Sequence, residues 1–238
     1  MKSLRKSGAV LLSALAMACG GSGTSRDTTS TTKPASLPEN PAGAVDPVPA
    51  TPDGRRTILF LGTSLTAGLG LDPDSAYPQQ VQRKIDASGL PYQVVNAGVS
   101  GETSAGLLRR LDWVLRGPAD VIVVETGAND GLRGLPVAAT RATIGEVLTR
   151  IRTVRPDAAL LLVQMEAPPN LGQEYTAAFR AMFPELAREH GATLLPFLLE
   201  GVAGNSRLNQ NDGIHPNDAG ERIVADNVWR TLQPLLRR

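Results

Sequence analysis

The chain has 238 residues, a formal net charge of +1 and an aromatic content of 4%. This length suits one sizeable core rather than two full domains, and the near-neutral charge gives no electrostatic basis for nucleic-acid binding. One cysteine and two histidines exclude an internal disulfide and leave little from which to build a zinc cluster. The low aromatic content also argues against a stacking platform for single-stranded nucleic acid.

Residues 1–19 have the pattern of a signal peptide. A basic start is followed by an apolar run from about Gly8 to Ala18, which is too short to span a bilayer. The end of this run, LAMACGG, is similar to a bacterial lipobox, with Ala16 where Leu is more usual. We therefore expect export and lipid attachment at Cys19, with plain secretion and an incidental Cys19 as the alternative.

Residues 20–55 are rich in Ser, Thr, Pro, Gly and Ala. Such a segment buries too little apolar surface to offset the entropy lost on ordering, which predicts a disordered linker. The globular domain is expected at 56–238. A linker between a lipid-bearing Cys19 and this domain predicts a protein of the bacterial cell envelope, anchored to the membrane and facing the periplasm.

Five apolar runs typical of β-strands alternate with helical patterns from Thr57 onward. The central runs VIVV and LLLV show little alternation, as in parallel strands that are covered on both faces. The five runs are TILFL (57–61), YQVVNA (92–97), DVIVVE (120–125), ALLLVQM (159–165) and TLLPFL (193–198).

The five helical patterns follow the strands in turn. Pro184 predicts a kink or an early end in the fourth pattern, and Gly191 marks its C-terminus. Five successive strand–helix units predict an α/β fold: a three-layer α/β/α sandwich around a five-stranded parallel sheet, doubly wound and flavodoxin-like. The helices are expected at about 77–88, 103–115, 138–155, 174–190 and 217–236.

The turn TILFLGTSLTAGLG (57–70) follows the first strand and raises the choice between a phosphate loop and a nucleophile. A P-loop needs four residues between its glycines and then Lys, but five residues separate Gly62 from Gly68, and Leu69 follows. A dinucleotide-binding loop needs a final glycine where Pro73 stands. Both spacings argue against a phosphate loop.

Ser64 is a candidate nucleophile only if a base and a group that orients the base lie near it. Alone, a serine at the start of a helix is better explained as a cap. His190 is expected at a helix C-terminus, where a surface position suits it. His215 lies in the polar loop NQNDGIHPNDAG after the fifth strand, and Asp212 can orient its imidazole or form an Asx turn. Asp218 competes for the role of the acid but is expected to cap or open the last helix.

Donors for an oxyanion are offered by the loops after the second and third strands. The candidates are the backbone N–H of Gly98 in NAGVSGETS and the side-chain amide of Asn129 in ETGANDGLRG. Taken singly, Gly98, Asn129 and Asp130 are ordinary turn residues. Because all these loops open at one edge of a parallel sheet, their joint placement favours an active site.

Four blocks in this order, GTSLTAG, NAGVSGETS, GAND and DGIHPN, resemble the SGNH (GDSL-type) hydrolase superfamily. The likeness runs from about 57 to 236 and is greatest to the bacterial acyl-CoA thioesterase I, lysophospholipase and arylesterase branch. It implies the SGNH hydrolase fold and a serine esterase. The implied roles are Ser64 as nucleophile and, through its N–H, first oxyanion donor, Gly98 and Asn129 as the other donors, and Asp212 and His215 as the rest of the triad.

The chain departs from the family pattern at two positions. The first block usually reads Gly-Asp-Ser, and Thr63 stands in place of that aspartate. Since the aspartate is not a triad member, we expect the chemistry to be retained, with a neutral Thr63 that hydrogen-bonds within its loop. Ala128 stands beside Asn129 where a glycine is usual and should narrow the pocket floor slightly.

The predicted reaction is hydrolysis of carboxylic esters through an acyl-enzyme, without metal or cofactor. Small esters and lysophospholipids are the expected substrates of a monomeric, exported enzyme, and cytosolic acyl-CoA is less accessible to it. The alternatives are a carbohydrate O-acetyl esterase and a non-catalytic surface lipoprotein that binds a ligand. The pocket is expected to be lined by residues near 107–111, 132–135 and 168–175.

Overall fold

A computed structural model describes residues 54–237 of the chain. The predicted signal peptide, Cys19 and nearly all of the predicted linker lie outside these residues. Over the described part, none of the helices combines the length and the apolar character that crossing a membrane requires.

The centre of the domain is a five-stranded sheet in which every neighbouring pair is parallel. The strand order β2-β1-β3-β4-β5 confirms the predicted doubly wound, flavodoxin-like sandwich. β1 pairs with β2 on one side and with β3 on the other, so the direction of winding reverses beside β1. The strands are β1 (Arg56–Gly62), β2 (Tyr92–Gly98), β3 (Val121–Val124), β4 (Ala159–Val163) and β5 (Thr193–Leu195).

Seven α-helices connect and cover the strands over residues 54–237. Helix α2 packs on α7, whereas α3 packs on α5 and α5 on α6, which gives the two outer layers. The helices are α1 (Ser64–Ala67), α2 (Tyr77–Ala87), α3 (Ser104–Val114), α4 (Ala128–Leu132), α5 (Val137–Val154), α6 (Gln173–Glu189) and α7 (Asp218–Leu232).

The structure corrects three expected boundaries. Helix α6 continues through Pro184 to Glu189, so of the two alternatives given for Pro184, a kink or an early end, the early end is wrong; buried Phe183 and Leu186 on either side hold this part of the helix on the core. Strand β5 ends before Pro196, which has no N–H for the ladder. Helix α7 ends at Leu232 and gives way to a 3₁₀ turn, rather than continuing to 236. The short helices α1 and α4 were not predicted, because four or five residues leave no periodic pattern.

Candidate active site

Three polar side chains form a continuous line of hydrogen bonds at the carboxyl edge of the sheet. Ser64 Oγ lies 2.8 Å from Nε2 of His215. Nδ1 of the same imidazole lies 2.7 Å from Oδ2 of Asp212. Ser64 begins α1 directly after β1, and the other two residues lie in the loop that leads to α7. The structure thus brings these three predicted residues together.

The loop that carries His215 fixes the Asp212 carboxylate by two further contacts. Oδ1 of Asp212 accepts the backbone N–H groups of Ile214 at 2.9 Å and His215 at 3.0 Å. The backbone N–H of His215, then that of Ile214 and then the imidazole contact lower the pKa of Asp212 to about 2. The two interpretations of Asp212 are therefore compatible, since one oxygen forms the turn while the other faces the imidazole.

The competing histidine and acid lie elsewhere. His190 ends α6 as expected, and its carbonyl accepts from Nε of Arg152 at 3.0 Å. Asp218 is the first residue of α7, behind the N-cap Asn217, whose side chain accepts the N–H groups of Ala219 and Gly220. Neither His190 nor Asp218 takes part in the hydrogen bonds of Ser64.

A cavity of about 200 Å³ opens above Ser64. Leu69, Leu132 and Ile214 stand at its rim with between 46% and 49% of their surface exposed. These are large fractions for apolar side chains, so the mouth of the cavity is an apolar surface in contact with solvent. The lining residues are Thr63, Ser64, Leu65, Leu69, Gly101, Ala128, Asn129, Leu132, Ile214 and His215.

Only one of the three predicted lining segments reaches this cavity. Leu132 lines it, as expected for the segment 132–135. Leu107 and Leu111 are completely buried in the core, because they lie on the inner face of α3. The segment 168–175 contributes Leu171 to Tyr175 to a separate cavity of about 460 Å³ beside α6.

Asn129 lies in α4, with its side chain on the cavity wall. Nδ2 of Asn129 donates to the carbonyl oxygen of Glu102 at 2.9 Å. An amide nitrogen carries two hydrogens, so this contact fixes the plane of the amide and leaves the second N–H for a ligand. The position agrees with the predicted donor role.

The structure does not support Gly98 as the other donor. The backbone N–H of Gly98 donates to Oδ1 of Asn96 at 3.0 Å, and Gly98 lies outside the cavity lining. A Cβ at this position would come within 2.4 Å of the backbone nitrogen of Ala67, so the glycine serves the close approach of β2 to α1. Gly101, three residues later and with a φ of 77°, is the glycine of this loop that lines the cavity.

The loop that carries Gly101 is held by contacts that sequence reasoning missed. Arg110 donates to both oxygens of Glu102, each at 2.7 Å, and both side chains are buried. Nη2 of Arg133 donates to the carbonyl oxygen of Gly101 at 2.9 Å. In the sequence, Glu102 and Arg110 are equally consistent with exposed positions on a solvated surface. The sequence therefore does not indicate that they pair.

Glu125, directly after β3, is a second missed residue. Its carboxylate is completely buried and accepts from the N–H of Thr63 at 2.7 Å, the Thr63 hydroxyl at 3.0 Å and the Thr66 hydroxyl at 2.9 Å. Burial raises the pKa of Glu125, and these hydrogen bonds oppose the rise. The neutral Thr63 therefore contacts the carboxylate of Glu125, which follows the neighbouring strand.

We expect a Thr63→Asp variant to remain an active esterase with an altered pH profile. The new carboxylate would lie about 3 Å from that of Glu125, where two buried carboxylates share one proton. Raising the pH removes that proton and leaves two buried negative charges that repel each other. As the pH rises, the variant should therefore lose activity and melting temperature at a lower pH than the wild type does. Both are measured between about pH 5 and pH 10. Thr63→Ser, which keeps the hydroxyl, is the control, and a profile for Thr63→Asp that matches it would contradict the prediction.

Comparisons with known proteins agree on one family. Residues 60–223 match the sequence model of the GDSL-like Lipase/Acylhydrolase family. Esterase TesA of Pseudomonas aeruginosa is 40% identical over 76% of this chain and 90% of that protein. Thioesterase 1/protease 1/lysophospholipase L1 of Escherichia coli strain K12 is 38% identical over 76% of this chain and 85% of that protein. The crystal structure of the psychrotrophic esterase EstA from Pseudoalteromonas sp. superposes with a TM-score of 0.71 at 34% identity, covering 76% of this chain and 98% of that one.

Proposed function

The chain belongs to the GDSL-like lipase/acylhydrolase family and is an ester-bond hydrolase, and we propose that Ser64, His215 and Asp212 are its catalytic triad. The observation that carries this proposal is the line of hydrogen bonds from Asp212 through the imidazole to Ser64 Oγ at the floor of an open cavity. A nucleophile, a base and an orienting acid are the side chains that activate the hydroxyl for acyl transfer to water.

In the proposed mechanism, Ser64 Oγ attacks the ester carbonyl while Nε2 of His215 takes the hydroxyl proton. The ionised Asp212 accepts a hydrogen bond from Nδ1–H and stabilises the imidazolium, without taking the proton. His215 then protonates the leaving alcohol as its bond to the carbonyl carbon breaks. A water molecule, deprotonated by His215, attacks the acyl-enzyme, and the acid leaves as Ser64 regains its proton.

We assign the oxyanion donors to the backbone N–H groups of Ser64 and Gly101 and the amide of Asn129. Gly101 replaces Gly98 in this assignment, because the Gly98 N–H is engaged by Asn96. All three proposed donors line the cavity that contains Ser64 Oγ. Donors that are fixed before the reaction stabilise the developing charge at no cost of reorganisation.

Asn129→Ala should lower kcat by about 100-fold or more with a smaller change in KM, because the lost N–H acts mainly on the developing oxyanion. Steady-state kinetics on p-nitrophenyl esters measures both constants. Asn170→Ala, at an exposed position, is the matched control and should behave as the wild type. An Asn129→Ala enzyme with wild-type kcat would remove Asn129 from the oxyanion site.

The apolar rim favours esters with an apolar acyl group as substrates. Leu69, Leu132 and Ile214 have no hydrogen-bonding side-chain atoms with which to recognise sugar hydroxyls, which argues against the O-acetyl esterase alternative. The related TesA and lysophospholipase L1 are named for esterase and lysophospholipase activities, in line with this choice. Export, lipid attachment at Cys19 and a monomeric state stay predictions.

Active-site labelling tests the proposed function directly. A fluorophosphonate should react once per chain, abolish hydrolysis of p-nitrophenyl esters, and appear by mass spectrometry on the peptide that contains Ser64. Prior saturation with a substrate ester should slow the labelling. Hydrolysis that persists after complete labelling, or a label on another residue, would overturn the assignment of Ser64.

A further inference from the structure

We propose that Glu125 is a positioning residue, whose buried carboxylate fixes the turn that carries Ser64. This inference rests on the proposed role of Ser64 as the nucleophile. Glu125 itself does not line the cavity and acts only through its neighbours.

The carboxylate holds the turn on both sides of Ser64. Thr63, the residue before it, donates both its backbone N–H and its hydroxyl, and Thr66, two residues after it, donates its hydroxyl. Helix α3 starts from Thr103, whose side chain accepts a backbone N–H of its own helix. The corresponding N-cap of α1, Thr63, makes no such bond. The start of α1 is therefore held by the carboxylate of Glu125, the residue after β3, rather than by a side-chain cap within α1.

The packing around the Glu125 carboxylate admits no larger side chain at Gly62. The backbone N–H of Glu125 donates to the carbonyl oxygen of Leu61 at 2.8 Å, which places the residue beside the end of β1. A Cβ on Gly62 would lie 2.7 Å from Oε2 of Glu125 and 1.9 Å from Oγ1 of Thr66. Gly62 is thus the residue that admits the carboxylate beneath the turn.

The hydrogen bonds of Glu125 with Thr63 and Thr66 extend to α2 through Tyr77. The Tyr77 hydroxyl lies 2.7 Å from Oγ1 of Thr66, so the phenol can donate to Thr66 while Thr66 donates to Glu125. Tyr77 is the titratable group facing Glu125 from α2, and burial, followed by the charge of Glu125, raises its pKa. Beyond it, Glu221 of α7 accepts the Tyr77 backbone N–H at 2.6 Å, and burial raises the pKa of Glu221 to about 8.

The consequence for catalysis is geometric. Ser64 Oγ must lie within hydrogen-bonding distance of His215 Nε2 and also face the ester carbon. A displacement of about 1 Å in a reacting group costs on the order of 100-fold in rate. Loss of the Glu125 contacts should therefore lower kcat without weakening substrate binding in the cavity.

Glu125→Gln tests the proposal, because its amide nitrogen would turn hydrogens toward donors that need an acceptor. We expect kcat on p-nitrophenyl acetate to fall by about 10- to 100-fold, with KM within about twofold and a matching decrease in the rate of Ser64 labelling by a fluorophosphonate. Thr66→Val, which removes the hydroxyl, should lower kcat by about tenfold, whereas Thr66→Ser, which keeps the hydroxyl, should retain the wild-type kcat. Asp120→Asn, a matched change of a carboxylate that accepts the backbone N–H of Thr57 at the opposite end of β1, should leave kcat within about twofold of the wild type.

Folded Glu125→Gln with wild-type kcat and labelling rate would overturn the proposal. If that variant does not fold, as judged by circular dichroism and thermal melting, Thr66→Val decides, and wild-type kcat in Thr66→Val overturns the proposal. An equal loss in Asp120→Asn would also overturn it, because the effect would then be general to carboxylates that hold β1. Failure of the proposed function is seen separately, as hydrolysis that survives Ser64→Ala.

Discussion

Ester hydrolysis should fall by about 10⁶-fold in kcat when Ser64 is replaced by Ala, and by a similar factor in His215→Ala. The two side chains act as one unit, because the hydroxyl is a weak nucleophile until the imidazole 2.8 Å away takes its proton. For the same reason, the double variant should be no worse than either single variant. The residual rate above that in water would come from substrate binding and the oxyanion donors.

The measurement is single-turnover and steady-state hydrolysis of p-nitrophenyl esters of several chain lengths. His190→Ala is the matched control, since His190 is the other of the two histidines and ends α6 away from the cavity. It should retain wild-type kcat. Equal activity of the wild type, Ser64→Ala and His215→Ala would rule out the proposed triad.

Asp212→Asn should lower kcat by about 10⁴-fold while the domain stays folded. Two backbone N–H groups, those of Ile214 and His215, hold one oxygen of this side chain. In the variant the amide oxygen must take that place, so the amide nitrogen faces Nδ1 of the imidazole and donates to it. The imidazole then carries its hydrogen on Nε2 and cannot accept the proton of Ser64.

Kinetics at neutral pH tests this expectation, with Asp218→Asn, at the first residue of α7, as the control. Stability adds a second readout. Because the pKa of Asp212 is depressed from 3.8 to about 2, its ionised form stabilises the fold above pH 3.8, and this contribution is lost as pH falls through 2. The stability difference between wild type and Asp212→Asn should therefore shrink as pH falls from about 5 toward 2. A difference that stays constant over this range would contradict the cause assigned to the shift.

The sequence could indicate which candidate residues come together because their placement depends on topology. Ser64 and Asn129 follow adjacent parallel strands, and the carboxyl ends of such strands share one edge of the sheet. His215 and Asp212 follow β5 at the same edge. The match of residues 60–223 to the GDSL-like family confirms the family resemblance read from the same blocks.

The parts that were missed depend on side-chain contacts. Gly98 and Gly101 are equivalent as letters in NAGVSGETS, and only the hydrogen bond from Asn96 shows which N–H is engaged. Glu125 ends an apolar run, where a charged residue usually marks the return to solvent. A carboxylate that is fully buried must find donors, and those donors, Thr63 and Thr66, come from a different strand–helix unit.

The pairing of α2 with α7 has a consequence for the order in which the chain becomes active. Ser64 and His215 are 151 positions apart, and His215 lies in the loop that leads into α7, which packs on α2. Contacts so distant in sequence form late, after the costly closure of a long loop. Turnover is therefore a reporter of complete folding, since a chain that has built the first four strands already holds Ser64 but has no base to activate it.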